Sequence, residues 1–466
     1  MNESSKLTLT FYGGVGMATG SNYLLDYSRD GGGSRILVDC GLVQGGPDSH
    51  ALNRADFGYS PASINFLFIT HAHADHIGRV PKLVHDGFSG IIYSTPETRE
   101  ISAVMLDDMA RVLDQEARKE GTLPLYTKAD VLHALDLWKT ISYHETFEVA
   151  QGVTVYPKDA GHVLGSVMYE FIFSGDGDKK TKVVMTGDLG NSPSPLLKDT
   201  EAITDADYMV MESVYGDRNH EGRDERQQML GSIMKEIAQK RGTLVIPAFS
   251  MERTQVLLHE MNDLVESGKA PTMPVFLDSP LAIKITSIYK EWKRDFNDRI
   301  QGELAKGDDI FNFPKLKFTI HSEESQKIHS VANPKIILAG GGMSEGGRVV
   351  HHEKMYLSDP KNILLLVGYQ SPGTLGRRLQ EGASEVTIEG EKIPVRAKIA
   401  EIHGYSSHKD SDHLIEFASE TKATVKRIFV CMGEPKSSLF LIQRLRDYAG
   451  LPAFYPELNM EYPLEL

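Results

Sequence analysis

The feature that most constrains this chain is a cluster of histidines and one aspartate directly after an apolar segment. The apolar segment is Ile64–Thr70, and the cluster reads His71-Ala-His73-Ala-Asp75-His76. Three imidazoles and a carboxylate within six residues are costly to bury unless they share a partner. The apolar segment predicts a buried strand, and a tight loop at its end can direct all four side chains to one point. Since imidazole and carboxylate together suit zinc or a similar divalent ion, the sequence predicts a metal site there.

Two later segments supply further candidate ligands. His162 lies in Asp-Ala-Gly-His-Val-Leu-Gly-Ser, where Gly161 and Gly165 permit a tight backbone turn. Asp188 follows an apolar strand in Val-Val-Met-Thr-Gly-Asp-Leu-Gly, where its carboxylate can bridge two metal ions. Each alone is more often a plain loop residue, and the first cluster alone has the alternative of a solvated histidine-rich loop. Together the segments favour a metal centre.

Length and pattern predict more than one domain. A chain of 466 residues suits two domains, or two halves of an interleaved pair. After residue 212, predicted helices alternate with predicted strands: Asp224–Lys240 (helix), Thr243–Phe249 (strand), Glu252–Ser267 (helix) and Val275–Asp278 (strand). This alternation is typical of a doubly wound, mostly parallel sheet.

An earlier region has helical periodicity. Ile101, Met105, Met109 and Leu113 recur at four-residue spacing, and Ala129–Ile141 gives a second amphipathic stretch. The sequence therefore predicts two helices between the first strands and the strands that follow.

Charge and cysteine content bear on partners and location. The net charge of −14 argues mildly against a nucleic-acid binder, but a cleft can be basic while the outer surface is acidic, and bound cations add positive charge. Cys40 and Cys431 are far apart and lie in no Cys-X-X-Cys pair, which favours a reducing cytoplasm. The first residues lack a signal-peptide pattern, and no apolar run reaches the roughly 18 residues of a membrane span. We therefore expect a cytoplasmic protein with no membrane contact.

Taken in order, these segments resemble the metallo-β-lactamase superfamily, whose first motif is similar to Leu-Val-Asp-Cys-Gly around Asp39. The resemblance implies that Asp39 orients ligands without binding metal itself. It also implies two zinc sites. His71, His73 and His162 would bind the first zinc ion, and Asp75 and His76 the second. The carboxylate of Asp188 would bridge the two ions. The iron-using redox branch has a glutamate where this chain has His73, so redox chemistry is disfavoured.

Two downstream motifs resemble those of the β-CASP nucleases within that superfamily. Met-Glu-Ser-Val-Tyr-Gly (211–216) is similar to the acidic motif that opens the β-CASP domain, with Glu212 as its carboxylate. Gly-Tyr-Ser-Ser-His-Lys-Asp (404–410) is similar to the motif that carries the matching histidine, His408. The resemblance covers about residues 6 to 450 and is nearest to the short bacterial and archaeal β-CASP ribonucleases, which are related to the pre-mRNA 3′-end processing endonuclease and to RNase J.

This resemblance implies a fold. We expect a metallo-β-lactamase αββα sandwich built from residues 1–210 and 396–466, with a β-CASP domain inserted at 211–395. The active site is expected in the cleft between the domains, which an extended anionic strand would fit.

The implied activity is metal-dependent hydrolysis of RNA phosphodiester bonds in RNA processing or decay. A metal-bound hydroxide would attack, with Asp75, Glu212 and His408 as catalytic residues. His408 would act as the general acid, and Glu212 would orient it and favour its charged form. The expected partner is single-stranded RNA, and a homodimer is compatible with the sequence. The alternatives are a DNA-directed β-CASP nuclease, a hydrolase of small esters or thioesters, and a non-catalytic RNA-binding scaffold.

Four side chains are candidates for RNA contact. The glycine-rich segment 340–348 offers backbone N–H groups that can cradle phosphate. The candidates are Arg253, Ser344, Arg348 and Arg377. The alternatives are a plain tight turn for the loop and structural ion pairs for the arginines.

The match fails at one position. RNA-directed members of the family complete the second zinc site with a histidine in a His-Gly-Glu context near the C-terminus, whereas this chain reads Cys431-Met432-Gly433-Glu434. A thioether is a weak ligand for zinc, so Met432 is expected to pack and the second site to be weak. Some DNA-processing members also lack this histidine, so the departure bears on the choice between RNA and DNA as well. Cys431 and His403 are the other candidate ligands.

Overall fold

The computed structural model describes residues 5–29, 32–46, 48–220 and 222–466 of the chain. The strands of this part are β1 (Lys6–Phe11), β2 (Tyr23–Arg29), β3 (Gly32–Val38), β4 (Phe66–Phe68), β5 (Ile91–Ser94), β6 (Trp138–Thr140), β7 (Phe147–Ala150), β8 (Val153–Asp159), β9 (Val167–Ser174), β10 (Lys180–Met185), β11 (Tyr208–Glu212), β12 (Thr243–Ala248), β13 (Val275–Asp278), β14 (Leu316–Phe318), β15 (Lys335–Gly340), β16 (Ile363–Leu366), β17 (Glu385–Ile388), β18 (Glu391–Pro394), β19 (Lys398–Glu401), β20 (Arg427–Cys431), β21 (Ala453–Phe454) and β22 (Glu461–Leu464).

The helices are α1 (Ser49–Arg54), α2 (Ala74–Ile77), α3 (Val80–His85), α4 (Pro96–Glu120), α5 (Lys128–Asp136), α6 (Arg223–Lys240), α7 (Arg253–Glu266), α8 (Pro280–Glu291), α9 (Asp298–Ala305), α10 (Ser322–Lys327), α11 (Arg348–Tyr356), α12 (Leu375–Gln380), α13 (Ser411–Ser419) and α14 (Pro435–Asp447). Short 3₁₀ helices lie at Pro61–Ser63, Lys293–Asp295, Ile328–Ser330 and His403–Tyr405. Among the described residues, no helix is long and apolar enough to cross a membrane.

The chain divides into two compact units. The first comprises the described residues of 1–44, 48–219 and 408–466, and the second those of 45–47 and 220–407. The predicted insertion at 211–395 both begins and ends earlier than the long segment of the second unit, 220–407. Strand β19 accounts for part of the difference, because it pairs with β16 and so belongs to the sheet of the second unit.

The first unit contains two seven-stranded sheets whose inner faces share one core. Their orders are β22-β1-β2-β3-β4-β5-β6 and β21-β20-β11-β10-β9-β8-β7. Apolar residues of both sheets, among them Leu9, Phe68, Phe171 and Phe429, are fully buried in this core. On the outer face of the second sheet, side chains of α13 and α14 bury apolar residues such as Met209. The predicted αββα sandwich is confirmed.

The second unit is built on a six-stranded sheet with the order β14-β13-β15-β12-β16-β19. All of its neighbouring strands run parallel. A parallel pair needs a crossover connection, which the helices between the strands provide. The chain crosses from β12 towards one edge and later from β15 towards the other, so the predicted doubly wound sheet is confirmed.

The long helix predicted from the four-residue spacing is α4. It begins after Thr95, whose side chain accepts a hydrogen bond from the Thr98 N–H at 3.2 Å, and Pro96 occupies its first turn. Leu106 and Ala110 are buried, whereas Met105 and Met109 are half-buried. The helix is therefore confirmed, with its buried side shifted by one residue from the predicted stripe.

The second amphipathic stretch, Ala129–Ile141, is only partly helical. Helix α5 ends at Asp136, and the next residues form β6, which pairs in parallel with β5. The indole N–H of Trp138 donates a hydrogen bond to Ser94 Oγ at 2.8 Å, which fixes this buried ring on the neighbouring strand. A strand pairing between distant segments overrides the local helical pattern here, so the single helix expected over this stretch is wrong.

Candidate metal centre

The predicted metal-binding side chains all lie in the first unit, at the ends of strands. The loop after β4, together with α2, carries His71, His73, Asp75 and His76, the turn between β8 and β9 carries His162, and the loop after β10 carries Asp188. Gly165 in the second of these segments has φ of +82°, and a Cβ at this position would lie 2.7 Å from the Thr98 backbone nitrogen. The turn that presents His162 therefore needs glycine, as the sequence predicted.

Four side chains converge on the first candidate metal position. His71 Nε2 lies 2.9 Å from His73 Nδ1, and His162 Nε2 lies 3.3 Å from the same atom. Asp188 Oδ2 lies 3.5 Å from His71 Nε2 and 3.7 Å from His162 Nε2. Bond lengths of about 2.1 Å in a tetrahedral zinc site place ligand atoms roughly 3.4 Å apart. The set has the size and chemistry of one zinc site.

Three side chains converge on a second position beside the first. His76 Nε2 lies 3.3 Å from Asp188 Oδ2 and 3.8 Å from Asp75 Oδ2. Asp188 Oδ2 thus lies close to ligand atoms of both positions, as expected of a bridging carboxylate.

The chemistry of the donor atoms fits bound cations. His76 Nε2 and both carboxylate oxygens of Asp188 are buried, and within the described ranges they have no hydrogen-bond partner. Buried polar atoms without a partner are costly, and a coordinated cation satisfies them. We conclude that these residues fit a metal cofactor.

Asp39 is placed to orient ligands rather than to bind metal. Its Oδ2 lies 2.7 Å from His76 Nδ1, on the side of the ring away from Asp188. The carboxylate also accepts hydrogen bonds from Ser21 Oγ at 3.0 Å and from the Thr70 N–H at 2.8 Å. These contacts hold the His76 ring with Nε2 towards Asp188, and the supporting role of Asp39 stays a prediction.

The electrostatics keep Asp188 ionised. Burial alone would raise the pKa of Asp188, but the imidazoles of His76 and His408 hold that pKa well below its ordinary value. Burial raises the pKa of Asp75 to about 6, although His76 opposes the shift. Burial also lowers the pKa of His71 well below its ordinary value, which favours a neutral imidazole. An anionic bridge and a neutral imidazole are the forms that bind a divalent ion.

Glu212 and His408 form a pair in close contact beside Asp188. Glu212 ends β11, and its Oε1 accepts a hydrogen bond from the Leu189 N–H at 2.7 Å. His408 Nδ1 lies 3.0 Å from Glu212 Oε2 and 3.8 Å from Asp188 Oδ2. Burial alone would lower the pKa of His408, but Glu212 and Asp188 raise it above its ordinary value. The pair therefore favours a protonated imidazole next to the metal position.

Met432 occupies the place where a further ligand was sought. It follows β20 in a left-handed backbone conformation with φ of +47°, and its side chain is buried. A Cβ on Gly14 would lie 2.8 Å from Met432 Sδ, so the thioether packs against that turn. These contacts agree with the expected packing role of Met432.

The two substitute ligands have other partners. The Cys431 thiol lies 3.2 Å from the Tyr23 hydroxyl, and burial raises its pKa to about 12. A protonated thiol is a poor metal ligand. His403 belongs to the second unit, where its Nε2 lies 3.4 Å from Glu401 Oε2.

The four candidates for RNA contact lie in the second unit and make intramolecular contacts. Arg348 donates to Asp278 Oδ1 at 2.6 Å, and Arg377 donates to Glu381 Oε1 at 2.7 Å. The buried Arg253 donates to the Val367 carbonyl at 2.6 Å, and the buried Ser344 hydroxyl donates to Glu353. These contacts favour the structural alternative for each side chain, and RNA contact stays a prediction.

Two residues of the site escaped the sequence analysis. Thr70 Oγ1 lies within 3.3 Å of both Asp39 oxygens and of Nδ1 of His71 and His76. Lys409 is buried, and its ammonium donates to the Gly190 carbonyl at 2.8 Å in the loop after Asp188. Their one signal in the sequence is that each is next to a predicted site residue: Thr70 precedes His71, and Lys409 follows His408.

The sandwich and the imidazole–carboxylate cluster together define a metallo-hydrolase. The sequence matches the Metallo-beta-lactamase superfamily over residues 16–246, the Beta-Casp domain over 254–379 and the Zn-dependent metallo-hydrolase RNA specificity domain over 392–456. It is 34% identical over 406 residues to Ribonuclease TTHA0252 of Thermus thermophilus, covering 87% of this chain and 89% of that protein. The chain belongs to the β-CASP family of metallo-β-lactamase-fold hydrolases, and the predicted metal dependence is confirmed.

Other relatives have different names. The chain is 29% identical to the RNase J-like protein of Methanocaldococcus jannaschii, covering 92% of this chain and 94% of that protein. It is 30% identical to the Transcription termination factor FttA of Methanosarcina mazei, covering 88% of this chain but only 64% of that protein. A crystal structure of a protein of unknown function from Enterococcus faecalis V583 is 12% identical with a TM-score of 0.54, and the match covers 98% of this chain and 100% of that one. At that identity the likeness extends to the fold alone.

Proposed function

We propose that this protein is a ribonuclease that hydrolyses RNA phosphodiester bonds with metal ions held by the cluster around Asp188. The observation that carries the proposal is the juxtaposition of that cluster with the His408–Glu212 pair, whose imidazole lies 3.8 Å from the Asp188 carboxylate. Phosphodiester hydrolysis needs an activated nucleophile, stabilisation of developing charge and a proton for the leaving oxygen. Divalent ions supply the first two.

His408 supplies the third requirement. Glu212 and Asp188 raise the pKa of His408, which favours a protonated imidazole, and Nδ1 already contacts Glu212 at 3.0 Å. The remaining ring nitrogen, Nε2, is therefore the atom that donates to the leaving oxygen. His408 retains 17% exposure of its side chain, so substrate can reach it, whereas Glu212 is fully buried. Glu212 thus acts through His408 and does not itself contact substrate.

RNA is the substrate that the family relationship supports best. The Thermus relative is a ribonuclease by name, and it shares 34% identity with almost the full chain. A small ester needs neither the second unit nor an acid positioned by a buried carboxylate. A scaffold that had lost catalysis would not need Asp188, whose buried carboxylate oxygens have no hydrogen-bond partner among the described residues. A DNA-directed nuclease is the remaining alternative, because Met432 stands where RNA-directed members of the family have a histidine.

The direct test is cleavage of matched substrates. Zinc-loaded protein is incubated with end-labelled single-stranded RNA and its DNA counterpart, with Asp75→Ala as the control. We expect RNA to be cleaved and the variant to be inactive. Ladders of fragments would indicate endonucleolytic action, and mononucleotides would indicate exonucleolytic action. Cleavage of DNA alone would move the protein to the DNA-directed alternative, and cleavage of neither would contradict the proposal.

We further propose two zinc sites of unequal strength. The first has four protein ligand atoms, whereas the second has only Asp75, His76 and the shared Asp188. Met432→His adds a donor at the position where RNA-directed relatives have one, so we expect zinc at the second site to bind more tightly by tenfold or more. Competition with a chromogenic chelator measures both dissociation constants. Two zinc ions held tightly in the wild type, unchanged in the variant, would refute the asymmetry.

Single-stranded RNA as the preferred form, a cytoplasmic location and a homodimer remain predictions from the sequence. The two cysteines are buried and unpaired with each other, which agrees with a reducing compartment.

A further inference from the structure

A single buried hydroxyl connects the supports of the two candidate metal positions. Thr70 Oγ1 lies 3.1 Å from Nδ1 of His71, a ligand of the first position. It also lies 2.9 Å from Oδ2 of Asp39, the carboxylate that holds His76 of the second position. Thr70 is 1% exposed, so water does not compete for these contacts. We propose that the Thr70 hydroxyl couples the two metal sites by fixing the ligand tautomers of both.

The available protons allow one consistent assignment around this hydroxyl. The Asp39 carboxylate is an acceptor only, so the Thr70 hydroxyl donates to it and His76 Nδ1–H donates to Oδ2 at 2.7 Å. A hydroxyl that donates to Asp39 has lone pairs left to accept from His71 Nδ1–H. Both imidazoles then carry their proton on Nδ1.

This tautomer leaves Nε2 of both rings without a proton. Those two atoms face Asp188 Oδ2, at 3.5 Å from His71 and 3.3 Å from His76. A metal needs the bare lone pair of a neutral imidazole, and the hydrogen bond on the other nitrogen decides which nitrogen offers it. Thr70 therefore holds His71 directly, and His76 through Asp39, in the form that binds metal.

Loss of the hydroxyl has a definite consequence at each position. Without Thr70 Oγ1, the buried His71 Nδ1–H loses its acceptor, and the proton is better placed on Nε2, where the Asp188 carboxylate accepts it. Asp39 loses one of the donors that orient it towards His76. The first site is weakened by the tautomer change and the second by a less rigid carboxylate. Supporting residues of this kind commonly change metal affinity by about 10- to 100-fold.

The methyl group of Thr70 has a separate role. A Cβ on Gly187, next to Asp188, would lie 2.6 Å from Thr70 Cβ and 3.0 Å from Cγ2. Thr70→Val keeps this methyl group and replaces the hydroxyl with a second methyl group of similar size, whereas Thr70→Ser keeps the hydroxyl and removes only the methyl group. The two variants therefore separate hydrogen bonding from packing.

The experiment measures zinc affinity at each site of the full-length protein. This inference rests on the proposed two-metal site, so each site is isolated in a background that disables the other: Asp75→Ala leaves the first, and His162→Ala leaves the second. Zinc binding is followed by competition with a chelator, and circular dichroism checks the fold. We expect Thr70→Val to weaken zinc binding by about 10- to 100-fold in both backgrounds and Thr70→Ser to restore most of it.

Thr421→Val is the matched control. It removes the hydroxyl of another buried threonine of the first unit, which donates to the Ala418 carbonyl at 2.8 Å and has no contact with the candidate ligands among those the structure describes. We expect it to leave zinc affinity unchanged in both backgrounds. If Thr70→Val is too unstable to purify, Thr70→Ala removes the same hydroxyl with less crowding.

The outcomes separate this inference from the proposed function. Weakening in one background only, or in neither, would overturn the coupling. A wild type that binds a single zinc ion would overturn both the coupling and the two-metal site. Normal zinc binding with the expected Thr70→Val effect, but no RNA cleavage, would refute the proposed function and leave the coupling intact.

Discussion

The proposed role of His408 as a proton donor, and not as a metal ligand, rests on the contacts of its Nδ1. Its Nδ1 lies 3.0 Å from Glu212 Oε2 but 3.8 Å from Asp188 Oδ2, so the shorter contact is with the carboxylate that ends β11. Burial raises the pKa of Glu212, while His408 opposes that shift. The carboxylate of Glu212 raises the pKa of His408, so the contact favours a protonated imidazole.

We predict that His408→Ala slows RNA cleavage and keeps the bound metal. A positioned general acid commonly contributes about 10²- to 10⁴-fold, so the turnover rate should fall by that factor. Turnover and zinc content are measured on the same samples. His413→Ala is the control, because His413 is half-exposed and bonded to Asp410 on α13, and its turnover should equal that of the wild type. Full activity of His408→Ala would reject the acid role, and loss of zinc would make His408 a ligand.

Glu252 makes the stability of the second unit depend on pH. It is buried with φ of +58°, where the Arg253 N–H donates to the Met251 carbonyl at 2.7 Å and closes a γ-turn. Burial raises the pKa of Glu252 to about 7, although the Tyr289 hydroxyl, 2.6 Å from Oε2, opposes the shift. The folded state therefore keeps a proton that the unfolded state releases above its pKa of about 4.3. The free energy of unfolding falls as pH rises from that value to about 7.

We predict that Glu252→Gln stabilises the protein at pH 8 by up to about 3 kcal/mol and has little effect near pH 5. Glutamine stays neutral and still accepts the hydrogen bond from Tyr289. Urea unfolding followed at several pH values measures the difference. Glu225→Gln, on the exposed surface of α6, should give a difference that does not vary with pH. If the free energies of unfolding of wild type and Glu252→Gln differed by the same amount at every pH, this result would contradict the raised pKa of Glu252.

At the scale of elements, the loop after β10 depends on one close approach. Gly187 precedes Asp188 with φ of +55°, and a Cβ there would lie 2.8 Å from Thr70 Oγ1. Two carbonyl groups of this loop also accept hydrogen bonds from Lys409. The Lys409 N–H donates to the Leu189 carbonyl and its ammonium donates to the Gly190 carbonyl, both at 2.8 Å. The segment before α13 is thereby fixed to the loop that carries Asp188.

We predict that Gly187→Ala costs about 3 kcal/mol of stability and weakens zinc binding by at least tenfold. Gly177→Ala is the matched control. Gly177 also has a left-handed backbone, with φ of +68°, but nothing lies within 4 Å of its added Cβ. It should therefore show only the backbone cost of about 1 to 2 kcal/mol, with normal zinc binding. Thermal unfolding and chelator competition on both variants provide the comparison. Equal losses of stability and of zinc affinity in the two variants would show that the close contact between Gly187 and Thr70 is unimportant.

The elements that position the ligands were predictable because their signals are contiguous. The strand β4 and the His71–His76 cluster are neighbours in sequence, and β13 has the predicted bounds, Val275–Asp278. The pairing of β19 with β16 and the strand β6 were not predictable, because each depends on a partner strand distant in sequence. Thr70 was missed for a related reason, since one threonine acquires a role only when Asp39, His71 and His76 surround it.

For the molecule as a whole, the net charge of −14 argued mildly against binding of nucleic acid, and this indication was misleading. A global sum does not describe a site in which buried imidazoles and bound cations set the local potential. The family relationship, which rests on motifs spread from Asp39 to His408, outweighs it. A ribonuclease with this charge is expected to bind RNA chiefly through its metal centre and local contacts, and not through a general basic surface.

In the proposed function, hydrolysis of RNA depends on metal held by the cluster around Asp188. The most direct measurement is the cleavage rate of end-labelled RNA by protein that has been stripped with a chelator, dialysed and titrated with zinc, with bound zinc determined for each sample. We expect no cleavage by stripped protein, recovery of cleavage in proportion to bound zinc, and no recovery in Asp188→Asn. Full cleavage by protein shown to contain no metal would contradict the proposed function.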